Sequence, residues 1–95
     1  MDKAKTQDMR VERATPEKLK TLNIETWSPW QCGCETFDWQ YDEDERAYVK
    51  EGRVTVRAES GQEIAFGSGD LVFFPAGLKC TWTISEPIRK VYRLG

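Results

Sequence analysis

Apolar residues in this chain recur with a period of two. Phe37, Trp39 and Tyr41 alternate with Asp38, Gln40 and Asp42. Val54, Val56 and Ala58 alternate with Arg53, Thr55 and Arg57, and Cys80, Trp82 and Ile84 with Lys79, Thr81 and Thr83. Successive side chains of a strand point to opposite faces, so this pattern predicts a sheet with one face buried. Turn signals punctuate the runs: Glu51-Gly52, Ser60-Gly61, Gly67-Ser68-Gly69-Asp70, Pro75-Ala76-Gly77 and Glu86-Pro87. Many short strands at such spacing predict an all-β sandwich or antiparallel barrel.

The N-terminal part reads differently. Residues 1–8 are polar and predict a flexible tail, with a single domain over residues 9–95. Residues 9–14 predict a short edge strand. Thr15 followed by Pro16 is a helix start, because threonine caps the first turn and proline there loses no hydrogen bond. The helix is expected to end near Leu22 and Asn23, with only strand and turn beyond it.

Size and charge narrow the class. A chain of 95 residues is one domain. At this length only about 60–65% of the unfolded surface can be buried, so pairing into a homodimer is expected to help. The net charge is −2, without the basic excess of a nucleic-acid binder. No apolar run approaches the roughly 18–20 residues that span a bilayer, so no membrane partner is expected. Residues 1–8 lack the apolar core of a secretion signal, which points to the cytoplasm. Three cysteines, Cys32, Cys34 and Cys80, are too few and too odd in number for a secreted disulfide framework. Cys32 and Cys34 would share one face of a strand, where a disulfide between them would be strained.

A longer pattern joins these pieces. Gly33 is followed by five residues, then Trp39-Gln40-Tyr41, three more residues, Glu45, six more, and Gly52. Gly69 is followed by five residues, then Pro75-Ala76-Gly77, two more, Cys80, and Ile84 after another three. This resembles the paired motifs of the cupin superfamily, in glycine, proline and glutamate spacing. The resemblance implies a small single-domain cupin, an RmlC-like jelly-roll antiparallel β-barrel with a short N-terminal helix. The superfamily's three metal-binding histidines stand where this chain has Trp39, Tyr41 and Cys80, and the chain has no histidine. Finer wording, including Phe37-Asp38-Trp39, Cys80-Thr81-Trp82 and Arg89-Lys90 before Tyr92, resembles a short cupin branch. That branch is related to ureidoglycine aminohydrolase and to an ethanolamine-utilisation cupin. Its members often carry histidine just before the final tyrosine, where this chain has Val91.

Alternation places Trp39 with Tyr41 on one face, Glu45 with Ala47 and Val49, and Cys80 with Trp82 and Ile84. The four positions that hold metal elsewhere in the superfamily are thus expected to point inward. Metal sites lean on imidazole, carboxylate and thiolate. Glu45 and Cys80 supply two such groups, so no metal or other cofactor is expected. Glu45 is the candidate catalytic acid or ligand anchor. An inward carboxylate must be paired or protonated, and a structural bond to Tyr41, a tryptophan N–H or an arginine is the competing reading. Cys80 lacks a histidine to activate it and reads as an inert thiol or a nucleophile needing another base. Trp39, Tyr41, Glu45, Cys80 and Trp82 are the candidate ligand-binding residues, and Asp42, Glu43 and Asp44 read as a solvated loop.

Three functions fit. The first is binding of a small polar molecule in the barrel without a three-histidine metal site. The second is an enzyme of the ureidoglycine aminohydrolase kind, acting on a small nitrogen-containing metabolite. The third is an interaction protein whose barrel is packed solid.

Overall fold

The computed structural model describes residues 8–95, so the tail expected over residues 1–8 lies, apart from Asp8, outside the described residues. Strand β1 (Arg10–Arg13) leads into helix α1 (Pro16–Leu22). The Thr15 side chain accepts a hydrogen bond from the Lys18 amide at 3.1 Å, and Pro16 follows at the first turn. Asn23 closes the helix in the left-handed conformation, φ 56°. A short 3₁₀ helix, Ile24–Thr26, comes next, where only strand and turn were expected. Its cause is local: the Asn23 carbonyl accepts from both the amide and the hydroxyl of Thr26, which winds the chain one turn further.

The remainder is strand: β2 (Ser28–Cys32), β3 (Thr36–Gln40), β4 (Glu45–Ala58), β5 (Glu63–Gly67), β6 (Asp70–Phe74) and β7 (Lys79–Leu94). The pairings are antiparallel, in the order β1-β6-β4-β7-β2, with β3 added to β7 and β5 to β4. Two long strands, β4 and β7, pair along their length and form the spine. Each divides its other edge between two partners: β4 between β6 and β5, β7 between β3 and β2. The register shifts between Val49 and Val54, and such bulges bend a strand so that the sheet can fold back on itself. Gly52 sits in this bend with φ 111°, and a β-carbon there would lie 2.5 Å from the Pro87 carbonyl oxygen. Only glycine permits both that φ and that approach.

The alternation of β4 and β7 translates directly into burial. Val49, Val54 and Val56 are fully buried, and Ala58, Cys80, Trp82 and Ile84 join them in one core with Phe66, Phe74 and Ile88. Gln62, in the turn after β4, accepts from the Met9 amide and donates to the Met9 carbonyl, at 2.9 and 3.0 Å. That clamp holds Met9, ahead of β1, in the same core. The result is a small antiparallel β fold with one short helix, as the alternation predicts. No helix among the described residues is long and apolar enough to cross a membrane.

Candidate functional site

One end of the fold is lined with aromatic rings. Strand β7 contributes Trp82 and Tyr92, β2 contributes Trp30, and β3 contributes Phe37 and Trp39. Tyr41 follows β3 and is held by backbone bonds to Leu78 and Gly77. Its ring stacks on Phe74 with centroids 4.8 Å apart, and Phe37 stacks on Trp82 at 5.8 Å. These rings surround a cavity of about 360 Å³. That is within the roughly 300–1,000 Å³ of small-molecule sites, so the core is not packed solid.

Two buried charges line the cavity. Glu45, at the start of β4, is 7% exposed and Lys90, on β7, is 6% exposed. Lys90 Nζ donates to Glu45 Oε2 at 2.6 Å. The ammonium also lies 5.0 Å from the ring centres of Trp30 and Trp82 and 5.5 Å from that of Tyr92. Ring faces are negative and attract a cation at such distances. Burial still pulls the Lys90 ammonium below the ordinary lysine range, and the Glu45 carboxylate only partly opposes this. The partner of Glu45 is therefore a lysine, and not the tyrosine, indole or arginine weighed from the sequence.

The sequence-predicted residues divide between places. Tyr41, Glu45 and Trp82 line the cavity and are buried. Trp82 Nε1 donates to the Tyr41 hydroxyl at 3.2 Å, which fixes both rings. Burial raises the Tyr41 hydroxyl far above its ordinary range, with the charge of Glu45 adding to it and the Trp82 bond opposing. Trp39 lines the same cavity on the face its alternation with Tyr41 gives it, but is 53% exposed. Among the described residues strand β3 pairs with β7 alone, and the indole is left uncovered there. It stands at the rim, edge-on to Phe37 and Tyr41.

Cys80 does not line this cavity. It borders a more open groove of about 650 Å³, together with Asp38, Arg57 and Lys79. Among the described residues that groove contains no buried charged side chain. Its width reflects exposed strand surface, so the smaller cavity with the Glu45–Lys90 pair is the candidate site. The Cys80 thiol donates to the Trp39 carbonyl at 3.7 Å, and burial, then the Asp38 charge, push it up to about 11. It is held as a thiol. Cys32 and Cys34 are free, with their sulfurs turned to Glu35 and to the Ser85 carbonyl.

The superfamily's metal-holding positions are Trp39, Tyr41, Glu45 and Cys80 in this chain. Trp39 offers no lone pair, the Tyr41 oxygen is engaged by an indole, Cys80 borders the other groove and Glu45 is paired with an ammonium. Among the described residues no group of three or more histidine, cysteine, aspartate or glutamate side chains is placed to hold a metal. The donors present do not fit one. Lys90 was not singled out from the sequence as a site residue. The available sign was its parity: Ile88, Lys90 and Tyr92 alternate, which turns a lysine inward between two apolar neighbours.

Comparison with known proteins agrees with this architecture. The family model described as the EutQ-like cupin domain matches residues 19–92. A DUF861 family protein from Thermotoga maritima superposes with a TM-score of 0.90 and 45% identity, covering 93% of this chain and 100% of that one. An ethanolamine utilization protein Q from Salmonella typhimurium superposes with a TM-score of 0.63 and 29% identity over 70% of this chain. The acetate kinase EutQ of Clostridioides difficile is 33% identical over 57 residues, 60% of this chain. The chain spans 36% of that kinase and 53% of the Salmonella protein.

Proposed function

We propose, from the premise that this chain belongs to the EutQ-like cupin domain family, that its aromatic cavity binds a small polar molecule. The observation that carries this is the Glu45–Lys90 pair, buried against an open cavity and not in the closed core. Two desolvated charges are a weak source of stability, because the cost of removing them from water offsets their attraction. Placed at a cavity wall, they provide one fixed donor and one fixed acceptor for a ligand. The rings supply contact area, and Trp39 at the rim is free to close over a bound molecule. Glu45 anchors the ligand and is the acid or base available for any reaction there. The activity of the longer relatives is not needed for this reading.

Fluorescence tests it. Trp30, Trp39 and Trp82 line the cavity and Trp27 does not. A panel of small amides, amino alcohols, aldehydes and sugars should include compounds that change the emission saturably. Glu45→Gln should weaken that binding at least several-fold. A cavity that takes none of these classes, or binds them equally well in the variant, contradicts the reading.

A further inference from the structure

We propose that Lys90 is an amine nucleophile that forms a Schiff base with a small uncharged aldehyde, with Glu45 as its proton shuttle. The inference rests on the cavity being a ligand site. It begins from an arrangement that binding alone does not require. Lys90 borders the cavity with its Nζ 2.6 Å from a buried carboxylate and enclosed by three ring faces. Burial pulls the Lys90 ammonium below the ordinary lysine range, which brings the free amine, the form with a lone pair to donate, within easier reach. A carboxylate at hydrogen-bond distance is the group that takes the proton and returns it.

The step balances within this pair. Glu45 takes one proton from the Lys90 ammonium, and the amine lone pair forms a C–N bond to the carbonyl carbon. The carbonyl π pair moves to oxygen, which receives the proton from Glu45. Glu45 then takes a second proton from nitrogen and delivers it to the hydroxyl. Water leaves, and the nitrogen lone pair closes the C=N bond. The product is a protonated imine on Lys90, one water, and the Glu45 carboxylate restored as its counter-ion.

The surroundings select the class of carbonyl compound. The Glu45–Lys90 pair is already neutral, and Asp42 and Glu43 add negative charge beside the cavity. Among the described residues no second cation lines it. An anionic 2-oxo acid would therefore enter against repulsion, whereas an uncharged aldehyde would not. The aromatic walls suit an apolar or aromatic substituent.

Reductive trapping tests this on the unmodified protein. Benzaldehyde at equimolar concentration with cyanoborohydride near neutral pH should give one benzylated product, which peptide mapping places on Lys90. Glyoxylate, the charged control, should show no preference for Lys90. Glu45→Gln should slow benzylation several-fold. The binding of benzyl alcohol to the unmodified protein, followed by tryptophan fluorescence, reports the cavity separately from the covalent step. Label spread over the exposed Lys18, Lys20, Lys50 and Lys79 with Lys90 unmodified overturns the proposal. If benzyl alcohol still binds in that case, the ligand cavity stands and only the covalent step fails. If it does not bind, the cavity reading fails for this class too. The mapping needs no variant, so misfolding of a substituted protein cannot obscure the result.

Discussion

Replacing Lys90 by methionine keeps most of the apolar stem and removes the ammonium. Glu45 then stays buried and loses its one side-chain hydrogen-bond partner among the described residues. Breaking a buried pair from one side costs about 3–5 kcal/mol, because a charge is left without compensation. The variant has one escape, which is to protonate the stranded carboxyl. For a carboxyl with a reference value near 4.3 that costs about 4 kcal/mol at pH 7 and about 1.4 kcal/mol less for each pH unit below it. The sign follows from linkage. The native variant holds a proton that its unfolded chain has released, so the variant's deficit grows as pH rises. Urea unfolding of parent and Lys90→Met should differ by about 4 kcal/mol at pH 7 and by about 1 kcal/mol near pH 5. The double variant Glu45→Leu/Lys90→Met should return to within about 1–2 kcal/mol of the parent, since no charge is stranded. A Lys90→Met variant within about 0.5 kcal/mol of the parent at both pH values would refute the reasoning, because it would mean the pair is solvated.

Other perturbations test other parts of the account. Tyr41→Phe removes the acceptor of the buried Trp82 indole N–H and should cost about 1–3 kcal/mol in urea unfolding. Gly52→Ala combines an unfavourable φ with a clash against the backbone of β7, and its melting temperature should fall by about 10 °C or more, about 2 kcal/mol or more. The Cys80 thiol, raised to about 11, keeps its proton where an unfolded cysteine releases one from about 9 upward. Its contribution to stability is therefore intact below pH 9 and lost as pH rises towards 11. A thiol reagent at pH 8 should label the exposed Cys34 quickly and Cys80 slowly. Fast labelling of Cys80 in the folded protein would contradict this.

Much of the fold was legible because burial follows parity on a paired strand. The valines of β4 and the Cys80, Trp82 and Ile84 series of β7 lie where their alternation puts them. The helix start was legible from Thr15 and Pro16, whose chemistry acts within one turn. Trp39 shows the limit of parity. The rule gives the face of a strand but not whether another layer covers it, and among the described residues β3 has a neighbour on one side only. Lys90 shows a second limit. It follows Arg89 directly in the sequence, yet Arg89 faces out to Glu51 at 2.7 Å while Lys90 faces in. The partnership of Glu45 with a residue 45 positions away depends on how β4 and β7 bring their inward faces to one end of the fold. Nothing local in the sequence encodes it. The cupin fold was legible in the glycine and proline spacing and the relation to EutQ in the finer wording, such as Phe37-Asp38-Trp39 and Cys80-Thr81-Trp82; the comparisons show the EutQ relation and do not show the link to ureidoglycine aminohydrolase.

The central claim is that Lys90, paired with Glu45, is a desolvated lysine at the wall of the aromatic cavity. Carbon-13 NMR of ε-labelled lysines through an alkaline titration reads this directly. One lysine resonance should titrate below the others, disappear in Lys90→Arg, and titrate lower still in Glu45→Gln, where the stabilising charge is gone. A spectrum in which every lysine titrates together near the ordinary value of about 10.4 would contradict the account.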